Sequence, residues 1–91
     1  MPTPDQGVYA ISVVAEIVGT GVQNVRAYER HGLLTPARTA GGTRRYSADD
    51  LDRLHRITDL LAEGLNLAGI AKVLELEAEN ARLRAALARR R

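Results

Sequence analysis

The sequence predicts a mainly α-helical fold carrying one small β-hairpin. Two short apolar-periodic stretches flank a glycine-bearing link, VGTG. A segment with proline and paired glycines, LLTPARTAGGTRRYS, then breaks the helical periodicity. Two longer stretches follow, after Ser47 and after Asn66, with leucines at spacings of three and four. At 91 residues the chain fits one small folded unit.

Each element has local reasons. Residues 1–7, MPTPDQG, hold two prolines and a glycine and are expected to form a disordered tail. In YAISVVAEIVG, Ser12 is the expected N-cap, Val14, Ala15, Ile17 and Val18 are the apolar set, and Gly19 is the stop. In TGVQNVRAYERHG, Val22, Val25 and either Tyr28 or Glu29 share a face at spacing three to four, His31 lies in the last turn and Gly32 ends the helix. Pro36 forbids helical continuation. Ala37–Thr39 and Arg44–Tyr46 can pair as short strands, because the intervening Ala40-Gly41-Gly42-Thr43 supplies the positive φ angles a tight hairpin needs.

Ser47 and Asp50 have capping-box spacing for a helix from about Ala48 to Glu63, with Leu51, Leu54, Ile57, Leu60 and Leu61 on one face and Gly64 at its end. Asn66 caps the last helix. There Val73, Leu76, Asn80, Leu83 and Leu87 form a heptad seam flanked by Glu75, Glu77, Glu79, Arg82 and Arg84, and Arg89, Arg90 and Arg91 complement the helix dipole. The expected division is a tail at 1–7, a domain at 8–72 and a dimerisation helix at 73–91.

Composition narrows the function. Without cysteine there is no disulfide, zinc-thiolate site or thiol nucleophile. His31 and His55 lack the ligand spacing of a metal site, so no metal and no cofactor are expected. No nucleophile–base pair or phosphate-cradling motif points to an enzyme, and the acids Asp49, Asp50 and Asp52 suit a helix N-terminus. The N-terminus does not read as a signal peptide and no apolar run is long enough to span a membrane, so the protein reads as cytoplasmic. Net charge is only +2, but the pI is about 9.5, and Lys72 is the sole lysine among 13 basic residues. Arginine suits planar, bidentate contact with phosphate and base.

Two short helices about a tight turn are the form of a helix-turn-helix, whose second helix enters the DNA major groove. Here that helix would present Gln23, Asn24, Arg26 and Arg30, with Gln and Asn suited to adenine and Arg to guanine or phosphate. Beside it the hairpin is a wing. Arg44 and Arg45 alternate across the strand, so one can reach phosphate while the other lies over the domain or pairs with an acid such as Asp49. Tyr46 is expected to pack inward, with its hydroxyl at the DNA side or against the core. Tyr28 is open between a core role and a DNA contact, and Tyr9 is a packing residue. Asn80 is open between a register-fixing core position and the surface.

The run from Tyr9 to Ile70 resembles the winged-helix DNA-binding domain of the MerR family of bacterial transcription regulators. The stretches YAISVVAEIVG, VRAYERHGLLTPAR, GGTRRYSADDLDRL and LLAEGLNLAGI carry the resemblance in order and spacing. RTAGGTRRYS and GLNLAGI are most similar to the HspR-like heat-shock repressor subgroup. The resemblance implies a mainly α winged helix-turn-helix with a C-terminal coiled-coil dimerisation helix, an antiparallel homodimer, and binding of double-stranded DNA at an inverted repeat in a promoter. It places DNA contacts at Arg26, Tyr28 and Arg44, and it implies a protein partner such as a chaperone or RNA polymerase. Ala27 and Thr43 stand where many members carry an aromatic residue, which weakens the carry-over of promoter twisting. Activating members carry an effector domain after the coiled coil. With only Ala88 and three arginines after Leu87, a minimal regulator and a truncated chain are both open. Two other functions compete: an architectural or excisionase-like DNA-bending protein, and a protein-interaction module built on the last helix.

Overall fold

The computed structural model describes residues 1–90. Arg91, one of the three arginines assigned to the helix dipole, lies outside the described residues. In chain order the elements are α1 (Ile11–Val18), α2 (Val22–Arg30), β1 (Ala37–Arg38), β2 (Arg44–Arg45), α3 (Ala48–Ala62) and α4 (Leu67–Arg89).

α1 and α2 form the helix-turn-helix. The N-cap of α1 is Ala10 rather than Ser12, and no side chain caps the helix. The cause lies just upstream. Tyr9 exchanges two backbone hydrogen bonds with Tyr46, of 2.9 and 2.8 Å, so the chain is held extended up to Ala10 and turns helical at once. Ser12 is left exposed inside the first turn. α2 ends where the sequence places its stop. Gly32 takes φ +75°, and the N–H of Leu33 reaches back to the Tyr28 carbonyl at 2.9 Å, a Schellman closure that brings buried Leu33 under the helix end.

The N-terminal residues, expected to be disordered, make specific ties. Gln6 N–H donates to the Thr3 carbonyl at 3.0 Å, and the Pro4 carbonyl accepts from Asp49 N–H at 2.9 Å. Gly7 lies so close to the wing that a Cβ there would stand 2.7 Å from the Arg45 carbonyl oxygen. Residues 1–6 stay exposed.

The hairpin is antiparallel, with Ala37 opposite Arg45 and Arg38 opposite Arg44. Thr39 N–H donates to the Thr43 carbonyl at 2.8 Å and Gly42 N–H to the Thr39 carbonyl at 2.9 Å, which leaves the three-residue loop Ala40–Gly42. Gly42 takes φ +85°, as the last residue of such a loop requires. α3 opens on the expected capping box: Asp50 N–H donates to Ser47 Oγ at 3.0 Å, and Ser47 N–H donates to the Asp50 carboxylate at 2.9 Å. Asn66 caps α4 by accepting from Gly69 N–H at 2.8 Å.

One apolar core joins all the layers: Val14 and Ala15 from α1, Val25 and Tyr28 from α2, Leu33 and Leu34 from the loop, Tyr46 from the wing, Leu54, Ile57 and Leu60 from α3, and Ile70 and Leu74 from α4. Ile17, expected on the buried face of α1, points outward at 51 % exposure. Tyr46 is fully buried and, among the described residues, its hydroxyl has no hydrogen-bond partner. Burial, followed by the nearby Glu29 charge, pushes its phenol above the usual range, so it stays neutral. Tyr46→Phe removes an unpaired buried polar atom and keeps the ring. We expect melting unchanged or raised, by up to about 1 kcal/mol in thermal unfolding.

α4 is continuous from Leu67 to Arg89. Its first turns pack on the core through Ile70 and Leu74, and Arg56 of α3 grips Glu77 with Nη2 at 2.7 Å and Nε at 3.1 Å. That pairing holds the Glu77 carboxyl below its usual range. Every residue from Glu75 to Arg90 except Ala86 is exposed. This stretch, about 22 Å long at 1.5 Å per residue, covers nothing within the chain. It carries Leu76, Leu83 and Leu87 at 66, 60 and 59 % exposure.

Candidate nucleic-acid interface

α2 divides cleanly by face. Val25 and Tyr28 go into the core, while Gln23, Asn24, Arg26 and Arg30 are exposed. Gly21 is the N-cap and no side chain caps the first turn, so the positive end of the helix dipole faces solvent. Asn24 Nδ2 donates to Thr20 Oγ1 at 3.0 Å, which ties the amide to the turn and fixes its direction. Among the described residues no ion pair engages Arg26 or Arg30. Tyr28, open between two roles in the sequence, is 5 % exposed and sits in the core.

The wing is bound to α2 by a carboxylate. Arg38 and Arg44 are cross-strand partners, so their side chains lie on one face of the hairpin. Two like charges so placed repel, and Glu29 in the last turns of α2 resolves this. One carboxylate oxygen accepts from Arg38 Nη2 at 2.9 Å, the other from Arg44 Nε at 2.5 Å. The acid paired with the wing is therefore Glu29, not Asp49. Arg38 Nη1 also donates to the Gly42 carbonyl at 3.0 Å, closing the loop from within. The hydrogen bond that Arg44 donates to Glu29 holds its guanidinium still more firmly protonated than usual. Arg45 lies on the opposite face, opposite Ala37, and donates through Nη1 to the Arg44 carbonyl at 3.1 Å.

The result is a surface on which α2 and the wing stand together with Arg26, Arg30, Arg38 and Arg44, and Glu29 as the acid between two of them. Of the residues singled out from sequence, Gln23, Asn24, Arg26 and Arg30 lie on the exposed helix face, Arg44 and Arg45 are half-buried, and Tyr28 and Tyr46 are core residues. The sequence reading overlooked Arg38 and Glu29. The hairpin register carries the signal for Arg38, since a three-residue loop at Ala40–Gly42 sets it opposite Arg44. It also overlooked Arg53, whose Nε donates to the Leu33 carbonyl and holds the segment between α2 and the wing.

This arrangement defines a winged helix-turn-helix of the DNA-binding class. The profile described as MerR HTH family regulatory protein matches residues 9–77. The chain belongs to that family. A Streptomyces coelicolor protein carrying the name heat shock protein HspR is 49 % identical over 84 residues, covering 91 % of this chain and 56 % of that protein. The HTH-type transcriptional regulator GlnR of Bacillus anthracis is 42 % identical over 66 residues, covering 72 % of this chain and 51 % of its own. The chain thus spans about half the length of the curated relatives it matches. Among solved structures, the transcription regulator PbrR691 from Ralstonia metallidurans CH34, in complex with lead(II), superposes with a TM-score of 0.74 at 32 % identity, covering 90 % of this chain and 71 % of that one. Among the described residues no helix is long and apolar enough to cross a membrane.

Proposed function

We propose that the protein is a sequence-specific transcription regulator that binds an inverted-repeat duplex as a homodimer, and that it represses. The observation that carries DNA binding is the exposed face of α2, with Arg26 and Arg30 free of ion pairs beside an arginine-bearing wing. Gln23, Asn24 and Arg26 read base edges in the major groove, and Arg44 and Arg45 serve the phosphate backbone. The buried rings of Tyr28 and Tyr46 position the helix and the wing instead of touching the duplex. Repression rests on the resemblance of RTAGGTRRYS and GLNLAGI to the HspR-like heat-shock repressor subgroup.

The homodimer rests on the seam of Val73, Leu76, Asn80, Leu83 and Leu87. Residues 8–72 carry the DNA-binding surface and 73–91 the pairing helix, with α4 shared between them. Its charges run acidic, Glu75, Glu77 and Glu79, then basic, Arg82, Arg84 and Arg89. Two such helices side by side in parallel would stack like on like, whereas antiparallel pairing sets acid against base. A protein partner such as a chaperone or RNA polymerase is compatible with the surfaces that remain.

The test is a salt titration of binding to a duplex selected from a random library. Wild type should select one inverted repeat, and log affinity should fall steeply with log salt. Arg26→Ala should cost about 1–3 kcal/mol and relax the choice at one base pair of each half-site. No preferred duplex together with a slope near zero would overturn the DNA reading in favour of a protein-interaction module.

A further inference from the structure

We propose that Glu29 is a positioning residue for DNA binding: it holds Arg44 by one edge so that the other edge is presented to a DNA phosphate. This rests on the reading that the α2–wing face binds DNA. An acid beside a phosphate site ordinarily weakens it, so the geometry has to show why this one helps.

Glu29 is the most enclosed member of the cluster, its side chain 17 % exposed against 31 % for Arg44 and 48 % for Arg38. Its two oxygens are divided between two arginines, which leaves the cluster with one net positive charge. The two arginines are used differently. Arg38 is engaged at both terminal nitrogens, Nη2 on Glu29 and Nη1 on the Gly42 carbonyl, so it acts as a strut of the wing loop. Arg44 is held through Nε, and among the described hydrogen bonds its two terminal nitrogens have no acceptor. A guanidinium presents its donors in a rigid plane, so fixing Nε fixes the direction of the far edge. That edge matches two oxygens of a phosphate, and the rotamer freedom an arginine loses on binding is already lost here. Glu29 belongs to α2, so the same contact locks the wing to the helix and sets the backbone contact in register with the base contacts.

The sign of one substitution decides. If Glu29 is a bystander acid, Glu29→Gln removes a repulsive charge and tightens binding. If it positions Arg44, Glu29→Gln weakens binding although it adds net positive charge. We expect at least about a threefold loss, with Arg44→Ala costing correspondingly less in the Glu29→Gln background. Glu29→Asp, which keeps the charge, should recover part of the loss. Arg44→Lys keeps the charge but cannot hold a carboxylate and a phosphate by separate edges, so it should behave like Arg44→Ala and lower the salt slope by about 1. It also serves as the test should Glu29→Gln melt below the assay temperature. Binding by Glu29→Gln at wild-type strength or tighter, additive losses in the double variant, or full binding by Arg44→Lys would each overturn the positioning role. Wild-type protein without salt-dependent affinity would instead overturn the DNA reading beneath it.

Discussion

Replacing Leu76 and Leu83 with glutamate is expected to leave a folded monomer that has lost the operator. Both side chains are exposed in the single chain, at 66 and 60 %, and neither belongs to the core, so the DNA-binding unit should keep its melting behaviour at low protein concentration. The exposed stretch beyond Leu74 has no apolar packing of its own within the chain, and most helical stability in proteins comes from packing an apolar face. A second copy would bury the leucines, each worth about 1.5–3 kcal/mol when fully covered. Two glutamates per chain would leave four charges in that seam, a cost no dimer of this size absorbs. Binding to an inverted repeat depends on both half-sites being held together, and losing that link should lower affinity by about 100-fold or more. Sedimentation and titration against one and two half-sites check this. A double variant that still sediments as a dimer would show that the pairing surface lies elsewhere.

Where local chemistry decides the structure, it was legible in the sequence. The Ser47–Asp50 capping box, the Asn66 cap and the stop at Gly32 each need only neighbouring residues and form as read, and the hairpin forms too, though its loop is the three residues Ala40–Gly42 and only Gly42 of the glycine pair takes a positive φ. The misreadings share a different cause. Ser12 is a good N-cap by type, but the pairing of Tyr9 with Tyr46, some 37 positions downstream, sets the helix start. Proline and glycine at 1–7 suggest disorder, but the Pro4 carbonyl finds Asp49 at the start of α3. The role of Glu29 depends on a hairpin folding back over it, which helical spacing in α2 does not show. Val73 reads as a seam residue in the sequence, but it is half-buried against the core beside Leu74, because α4 also packs on α3. A helix that serves two surfaces in succession has no single periodicity to read. The candidate site divides in the same way: the exposed polar residues of α2 follow from helical spacing, and the acid that organises the wing follows from tertiary contact alone.

Leu54→Ala should have the largest effect on stability, and its form separates the two apolar surfaces of the molecule. Leu54 is fully buried in α3, within the core that joins α1, α2, the wing and α4. Truncation removes its transfer energy and leaves a cavity, together about 2–5 kcal/mol. A small domain of this kind has about 5–15 kcal/mol in total. The melting temperature should therefore fall by about 10 °C or more. In the proposed homodimer the Leu76 and Leu83 substitutions would act on association, so their effect on melting should grow with protein concentration, because dimerisation stabilises by mass action. Leu54→Ala acts inside one chain, so its deficit should persist at every concentration and should be shared by the Leu76/Leu83 variant when the changes are combined. Thermal melts across a concentration series distinguish the two. A Leu54→Ala deficit that vanished on dilution would mean that this core is completed only by the partner, and that the DNA-binding unit does not fold alone.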